Sequence, residues 1–263
     1  MSHITFDSVK ISYKTSDGEV EAVGDFSAEI QKGEFIAIVG PSGCGKSSVL
    51  SAADGLLKPA AGNVYVSGEP VTGPGHGRAM VFQDASLMPW RSVESNVAFG
   101  LELRGVGKAE RLRTARELVK LVGLEGRERS RPSQLSGGMR QRVGIARALA
   151  VDPEILLMDE PFGALDAQTR ESMGMELLRI WENDRKTVLF VTHGIDEAIL
   201  LADRVLVMSA GPRSRIVEDI TIDLPRPRTR EVRVGREFQV YRSRLSNLLF
   251  GEQDARTTEP ATR

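Results

Sequence analysis

A glycine-rich segment between an apolar run and a helical run constrains the fold of this chain most. Residues Gly40–Ser47 read Gly-Pro-Ser-Gly-Cys-Gly-Lys-Ser, and they directly follow the apolar run Phe35–Val39. This order predicts a buried strand, a tight loop and a helix over Ser48–Ala53 that ends at Gly55. Such a loop turns successive main-chain N–H groups inward, and the helix adds the positive end of its dipole. The segment therefore predicts a site for phosphate groups at the carboxyl end of a strand.

Lys46 and Ser47 of this loop carry the chemistry that a nucleoside triphosphate needs. The lysine is expected to bridge the β- and γ-phosphates, and the Ser47 hydroxyl is expected to bind Mg²⁺. The other loop residues predicted to contact the nucleotide are Gly40, Pro41, Ser42, Gly43, Cys44, Gly45 and Ser48. A chance glycine-rich turn is the alternative, and the match to an eight-residue pattern with both correct flanks argues against it.

Cys44 is the single cysteine of the chain, and it has two interpretations. It is either an inert small residue or a thiol made acidic by the helix N-terminus, and we favour the first. If Cys44 lies in the loop, bound ATP is expected to shield it from an alkylating reagent. One cysteine allows no internal disulfide and fits a reducing compartment.

Short apolar runs alternate with helical patterns along the chain. Strands are predicted at Phe35–Val39, Asn63–Val66, Ala79–Phe82, Ile155–Met158, Thr187–Thr192 and Val205–Met208. Apolar residues recur at helical spacing from Leu112 to Val122 and from Met139 to Leu149. This alternation predicts an α/β fold with a mostly parallel sheet and ligands at the carboxyl ends of strands. Residues 84–136 have few strand signals and are interpreted as a helical insertion.

Composition and charge narrow the classes of function. The 263 residues are 41% hydrophobic and 27% charged, which is typical of a globular chain. A formal net charge of -1 gives no overall field that attracts nucleic acid, so nucleic acid is not an expected partner. The apolar runs are far shorter than the ~18 to 20 residues that span a bilayer, and residues 1–10 lack the apolar core of a secretory signal.

Two acids end the apolar strand Ile155–Met158. Without a cation, paired carboxylates at a buried strand end repel each other or take up protons, so a purely structural role explains them poorly. Asp159 is expected to hold Mg²⁺ through a water, and Glu160 is expected to polarise the water that attacks the γ-phosphate. Pro161 then turns the chain away from the strand.

A third motif separates the classes of phosphate-loop enzymes. Residues Leu135–Arg142 read Leu-Ser-Gly-Gly-Met-Arg-Gln-Arg, and they resemble the signature of ABC ATPases. The resemblance implies the ABC ATPase fold: a phosphate-loop core, an N-terminal antiparallel β portion and an inserted helical subdomain. It also implies a head-to-tail homodimer, in which Ser136, Gly137 and Gly138 of one subunit close on the γ-phosphate held by the other. An N-cap serine with turn glycines is the alternative, and it explains the helix start alone.

The resemblance assigns roles to four further residues. Tyr13 resembles the aromatic that stacks on adenine, and Gln83 resembles the Q-loop glutamine that senses Mg²⁺ and the attacking water. Asp166, in the D-loop-like stretch Phe162–Asp166, would reach across the dimer, and His193 resembles the switch histidine. Considered alone, a histidine or tyrosine at such a position is more often structural. The order and spacing of all the motifs together favour the functional roles instead.

The resemblance extends to the domain level. It implies an ABC ATPase domain over residues 1–230, with the helical subdomain inserted at about residues 84–150. Two prolines and three arginines in Leu224–Arg230 are typical of a linker. Residues 231–263 are expected to form a short helix followed by a frayed tail from Gly251. The residues on one face of this helix are Phe238, Tyr241, Leu245, Leu248 and Leu249. A packing helix is favoured over a helix that lies on a membrane surface.

The stretch Val81–Arg91, followed by Asn96-Val97, resembles the ATPases of nitrate, sulfonate and taurine importers. This likeness makes Ser86–Asn96 the expected docking patch for a permease, although Pro89 and Trp90 alone are equally compatible with a turn and a half-buried ring. The implied assembly has two ATPase subunits, two permease subunits and an external solute-binding protein, at the cytoplasmic face of a bacterial membrane. An ABC ATPase acting on nucleic acid and a non-catalytic ATP-binding module are the alternatives, and the transported solute stays open.

Overall fold

The structure is a computed structural model that describes residues 2–16 and 18–257. Its strands are β1 (Ile4–Thr15), β2 (Gly18–Ile30), β3 (Phe35–Val39), β4 (Ala61–Val66), β5 (Glu69–Pro70), β6 (Arg78–Val81), β7 (Ile155–Asp159), β8 (Thr187–Val191), β9 (Arg204–Met208) and β10 (Ser214–Thr221). Its α-helices are α1 (Lys46–Asp54), α2 (Val93–Val97), α3 (Phe99–Leu103), α4 (Lys108–Leu121), α5 (Gly137–Ala150), α6 (Ala167–Asp184), α7 (Ile195–Leu201) and α8 (Arg236–Thr257). The chain divides into two compact units, one of residues 73–189 and one that joins the residues up to 72 with those from 190 onward.

The first unit contains a mixed sheet with the strand order β5-β4-β1-β2-β10-β9-β3. The N-terminal strands β1, β2, β4 and β5 pair antiparallel, whereas β3 pairs parallel with β9 and β2 pairs parallel with β10. All five residues of β3 are buried, as a continuous apolar run predicts for a strand covered on both faces. Helix α7 packs on β3, and α8 packs on α7 and β9.

The second unit combines a parallel strand pair with a group of helices. β6 and β7 pair in register from Arg78 with Ile155 to Val81 with Met158. Helices α2, α3, α4 and α5 follow β6 and pack on one another before the chain returns to β7. This confirms the predicted α/β class with an antiparallel N-terminal portion and an inserted helical part. The finer limits, residues 1–230, 84–150 and 231–263, stay a prediction.

Three local expectations differ from the structure. β6 ends at Val81 and β8 at Val191, so Phe82 and Thr192, the predicted last residues of these strands, lie just beyond them. The presumed linker is fixed in place, because the buried guanidinium of Arg228 donates to the carbonyl oxygens of Ile199, Leu200, Ala202, Ile222 and Leu224. Helix α8 continues to Thr257, and residues 258–263 of the expected tail lie outside the described residues.

Candidate functional site

The glycine-rich loop joins β3 to α1 in the first unit. Gly43 and Gly45 have φ of 79° and 90°, a left-handed backbone that favours glycine. A Cβ on Gly45 would lie 2.5 Å from Cγ2 of Val23, so the position has no room for a side chain either. Gly45 gives α1 no side-chain cap, and Gly55 ends the helix in the left-handed region, as predicted. The uncapped helix start is open to an anion, which fits a phosphate group.

Lys46 places its ammonium group inside this loop. Its side chain is only 4% exposed, and Nζ donates to the carbonyl oxygens of Gly40 at 2.8 Å and Pro41 at 2.9 Å. These two hydrogen bonds hold the Lys46 side chain within the loop. The charge, the inward-turned main chain and the helix start together suit the triphosphate of a nucleotide.

Tyr13 and Ser48 lie side by side at the start of α1. The Tyr13 hydroxyl and Ser48 Oγ form a hydrogen bond of 2.7 Å, while 42% of the tyrosine remains exposed. Ser47 is also exposed. An exposed ring fixed at its hydroxyl end leaves its face open to a planar base, and this geometry suits the adenine contact expected of Tyr13.

Cys44 is fully buried under the loop. Burial raises the pKa of its thiol, and this effect outweighs the charge of nearby Lys46, which lowers it. Ser214 Oγ donates to the Cys44 carbonyl oxygen at 2.5 Å and anchors the loop from below. The inert interpretation is therefore supported. The expected ATP shielding cannot report the loop position, because the thiol is already inaccessible without nucleotide.

His193 follows β8 and faces the same cavity as the loop. The cavity has a volume of about 450 Å³ and is lined by Val39, Gly40, Pro41, Ser42, Thr192, His193, Leu249 and Phe250. Thr192 Oγ1 donates to Glu197 Oε2 at 2.6 Å and accepts from Gly194 N at 2.9 Å, so this turn is braced on α7. The structure thus brings His193 to the loop. Leu249 and Phe250, the two α8 residues that line this cavity, were not predicted from the sequence to be part of the site.

Gln83, Asp159 and Glu160 all lie in the second unit. Gln83 Nε2 donates to Glu160 Oε2 at 3.3 Å, which brings together the two residues predicted to handle the attacking water. Asp159 ends β7 and is only 7% exposed, whereas Glu160 has a left-handed φ of 45°. Such backbone strain in a non-glycine residue is concentrated at functional sites. The hydroxyl, amide and carboxylate oxygens of Ser47, Gln83 and Asp159 are the hard ligands that suit Mg²⁺.

Ser136 and the two glycines after it begin α5. Ser136 is the N-cap, and its side chain accepts from Met139 N at 3.2 Å. Gly138 lies against the D-loop-like stretch, because a Cβ there would be 3.0 Å from Leu165 Cδ2. Gly137 is different: a Cβ there would meet only the end of Arg140, at 3.8 Å. Gly137 is therefore the exposed residue at the start of α5, and it leaves room for a group outside the chain.

Asp166 caps helix α6 in this structure. Its side chain accepts from Thr169 N at 3.0 Å. The hydrogen bond from the Thr169 side chain is the main cause that holds the pKa of the carboxyl below its ordinary range, and the bond from Thr169 N adds to it. The capping role and the cross-dimer role expected of Asp166 are compatible, because the residue is exposed.

The segment Ser86–Asn96 is shaped by one buried amide. Asn96 is fully buried; it accepts from Met88 N at 2.9 Å and donates to the carbonyl oxygens of Met88, Arg91 and Ser92. Trp90 lies on the loop that this amide holds and is 71% exposed, so the half-buried ring considered from sequence is wrong. Leu103, the last residue of α3, is 73% exposed.

Comparison with known proteins decides the family. The ABC transporter family profile matches residues 23–163, more than half of the chain, from before the phosphate loop to beyond Glu160. The chain belongs to the ABC transporter family. It is an ABC-type ATPase that binds ATP and hydrolyses it to ADP and phosphate.

The relatives of this ATPase include transporter subunits of several organisms. An uncharacterized ABC transporter ATP-binding protein of Methanocaldococcus jannaschii is 51% identical over 240 residues, covering 91% of this chain and 88% of the relative. The nitrate import ATP-binding protein NrtD of Synechococcus elongatus is 47% identical, with 86% and 83% covered. The taurine import ATP-binding protein TauB of Pseudomonas aeruginosa is 46% identical, with 86% of each chain covered.

The ABC ATPase fold is also found among solved structures. A post-hydrolysis dimer of the ATP-binding cassette MJ0796, bound to ADP and Pi, matches with a TM-score of 0.78 at 32% identity, covering 84% of this chain and all of that one. Among the described helices, none combines the length and apolar character that crossing a membrane requires.

Proposed function

We propose that this chain is the motor subunit of an importer for a small anion or sulfonate-like solute. The observation that carries the proposal is the pair of helix starts suited to anions, α1 after the phosphate loop and α5 after Ser136, in one ATPase chain. One nucleotide needs only one phosphate loop. A second anion site in the same chain is explained by a nucleotide held by another copy.

In the proposed reaction, Lys46 and the loop amides hold the β- and γ-phosphates of ATP. Glu160 accepts a proton from the attacking water, and Gln83, which contacts the Glu160 carboxylate, orients that water. His193 borders the same cavity as the loop and donates toward the γ-phosphate as charge develops there. Bound Mg²⁺, held by Ser47, Asp159 and Gln83, would neutralise phosphate charge.

The proposed active form is a head-to-tail homodimer. Ser136, Gly137 and Gly138 of one copy would complete the site formed by Lys46 of the other, with Asp166 at the dimer interface. The dimeric cassettes of known structure and the open side of Gly137 support this arrangement. ATP would then join the two copies, and hydrolysis would release them.

The proposed partners are two permease subunits at the cytoplasmic face of a bacterial inner membrane, supplied by an external solute-binding protein. Exposed Trp90 on a rigid loop supports a docking patch at Ser86–Asn96, since aromatic residues are enriched in protein interfaces. The names of the nitrate and taurine relatives support this class of solute.

The proposed chemistry is tested by phosphate release and by binding of a fluorescent ATP analogue to the purified chain. Glu160→Gln should bind nucleotide normally and lose at least ~100-fold in kcat, because the amide cannot accept the proton. Lys46→Ala should lose nucleotide binding, while the exposed Lys14→Ala serves as the matched control. Turnover that survives in Glu160→Gln would exclude Glu160 as the base, and an inactive wild-type chain would favour a non-catalytic binding module.

A further inference from the structure

Helix α5 holds the main chain on both sides of Gln83. We define the Q-segment as residues 82–86. Gln141 Nε2 donates to the Phe82 carbonyl oxygen at 2.9 Å, immediately before Gln83. Arg147 donates from Nη2 to the Ala85 carbonyl oxygen at 2.7 Å and from Nη1 to that of Ser86 at 3.0 Å. Gln83 is therefore bracketed by hydrogen bonds that all come from one helix.

Residue spacing on α5 makes possible these hydrogen bonds from Gln141 and Arg147 to the Q-segment, which we call the α5 grip. Gln141, Gly144 and Arg147 are three residues apart, so they lie along one face of the helix. A Cβ on Gly144 would lie 3.3 Å from the Ala85 Cβ, so the small residue lets the Q-segment approach the helix closely. The hydrogen bonds that Gln141 and Arg147 donate to the Q-segment need that close approach.

Burying the side chains that donate the hydrogen bonds of this grip costs free energy. Gln141 is only 2% exposed, and burial lowers the pKa of the Arg147 guanidinium. The carbonyl oxygens of the Q-segment compensate the arginine with two good hydrogen bonds, and a planar guanidinium can satisfy both at once. A chain that needed only helix packing at this point could fill it with apolar residues at lower cost.

We propose that Gln141 and Arg147 are positioning residues for ATP hydrolysis, which hold the Q-segment so that Gln83 stays against Glu160. This inference rests on the proposed function of Gln83 and Glu160. The same grip connects the helix that starts at Ser136 to the first residue of the proposed docking patch, Ser86. Ser86 has a left-handed φ of 45° and donates from its hydroxyl to the Asp84 carbonyl oxygen, so its conformation is also fixed.

The experiment measures kcat and KM for ATP in the purified full-length chain. Arg147→Met removes both hydrogen bonds at similar volume and should lower kcat about five- to tenfold, with KM within about twofold, because the phosphate loop is untouched. In a Gln83→Ala background the same substitution should lower kcat by less than about twofold, because the group that it positions is gone.

The matched control is Arg104→Met in the same unit. Arg104 also donates to two main-chain carbonyls, those of Val151 and His76, but it does not contact the Q-segment. It should leave kcat within about twofold of wild type. If Arg147→Met fails to fold, Gln141→Met gives the same pair of measurements, since it removes the bond on the other side of Gln83.

Three results would overturn the inference. They are an unchanged kcat in Arg147→Met, an equal loss in the wild-type and Gln83→Ala backgrounds, and an equal loss in the Arg104→Met control. The proposed function fails differently, because then Glu160→Gln would keep its turnover whatever happens at Arg147.

Discussion

At the scale of single residues, the site depends on backbone conformations that few side chains accept. Gly45 needs both its left-handed φ and its missing Cβ, since Val23 occupies the adjoining space. Glu160 adopts a left-handed φ as a non-glycine residue while its carboxylate accepts from Gln83, as the roles proposed for the two residues require. The sequence motif names such residues, but only the coordinates show which atoms exclude a substitute.

Cys44 gives a prediction about reactivity. Because burial raises the pKa of its thiol, the folded chain should react only slowly with iodoacetamide near neutral pH, with or without ATP. Labelling counted by mass spectrometry should become fast only after unfolding in guanidinium. Rapid labelling of the folded chain would contradict the buried placement of this thiol.

The same pKa shift predicts a sign for the pH dependence of stability. The folded thiol binds its proton more tightly than the unfolded thiol, so the free energy of unfolding should fall as pH rises above the ordinary thiol pKa. Cys44→Ala should show a smaller fall over that range in urea titrations. Identical slopes in the two proteins would contradict the assigned burial effect.

At the scale of secondary-structure elements, the apolar pattern of the sequence predicts where strands and helices form, but not which elements pack against each other. The runs that became β3, β7 and β9 are continuous because their residues are buried on both faces, and such runs are visible in the sequence. The signature and phosphate-loop helices were predicted from their start signals. The position of α8 was not, because Leu249 and Phe250 reach the phosphate-loop cavity only through tertiary packing.

Helix α8 is expected to be an integral part of the first unit. Phe238 and Leu245 are buried, and Arg242 and Arg244 pair with Asp196 and Glu218. Leu245→Ala should lower the free energy of unfolding by about 2–5 kcal/mol, since it removes a fully buried side chain.

The control for α8 is a substitution on its exposed face. Val240 is 61% exposed, so Val240→Ala should change the free energy of unfolding by less than about 0.5 kcal/mol. Urea denaturation of both variants measures the difference. Equal small effects would show that α8 is a loosely attached tail.

At the scale of the whole molecule, the predicted site residues divide between two units. The phosphate loop, Tyr13 and His193 belong to the first, and Gln83, the paired acids, the signature and Asp166 belong to the second. Sequence order and motif spacing predicted these residues, and most of them lie at or just beyond a strand end or at a helix start, whereas Tyr13 lies within β1. The grip of α5 on the Q-segment escaped prediction, since side-chain bonds to main-chain carbonyls leave no pattern in the sequence.

In the proposed dimer, the signature residues of one copy complete the binding site of the nucleotide held by the other copy. Substitution of Gly137 tests this arrangement directly. Gly137→Glu is compatible with the fold, because there is open space around this residue and an acid in the first turn of a helix is favourable. The new carboxylate would repel the γ-phosphate held by the partner copy. Lys108→Glu, at the start of α4, places the same carboxylate at another exposed helix start and also removes a positive charge, so it is the more demanding control.

The measurement is the molar mass of the Glu160→Gln chain by light scattering, with and without ATP. We expect the mass to rise from 28.7 kDa to twice that value on adding ATP, a rise that Gly137→Glu abolishes and Lys108→Glu preserves. A mass that does not respond to ATP, or a dimer that forms equally well with Gly137→Glu, would contradict the proposed dimer.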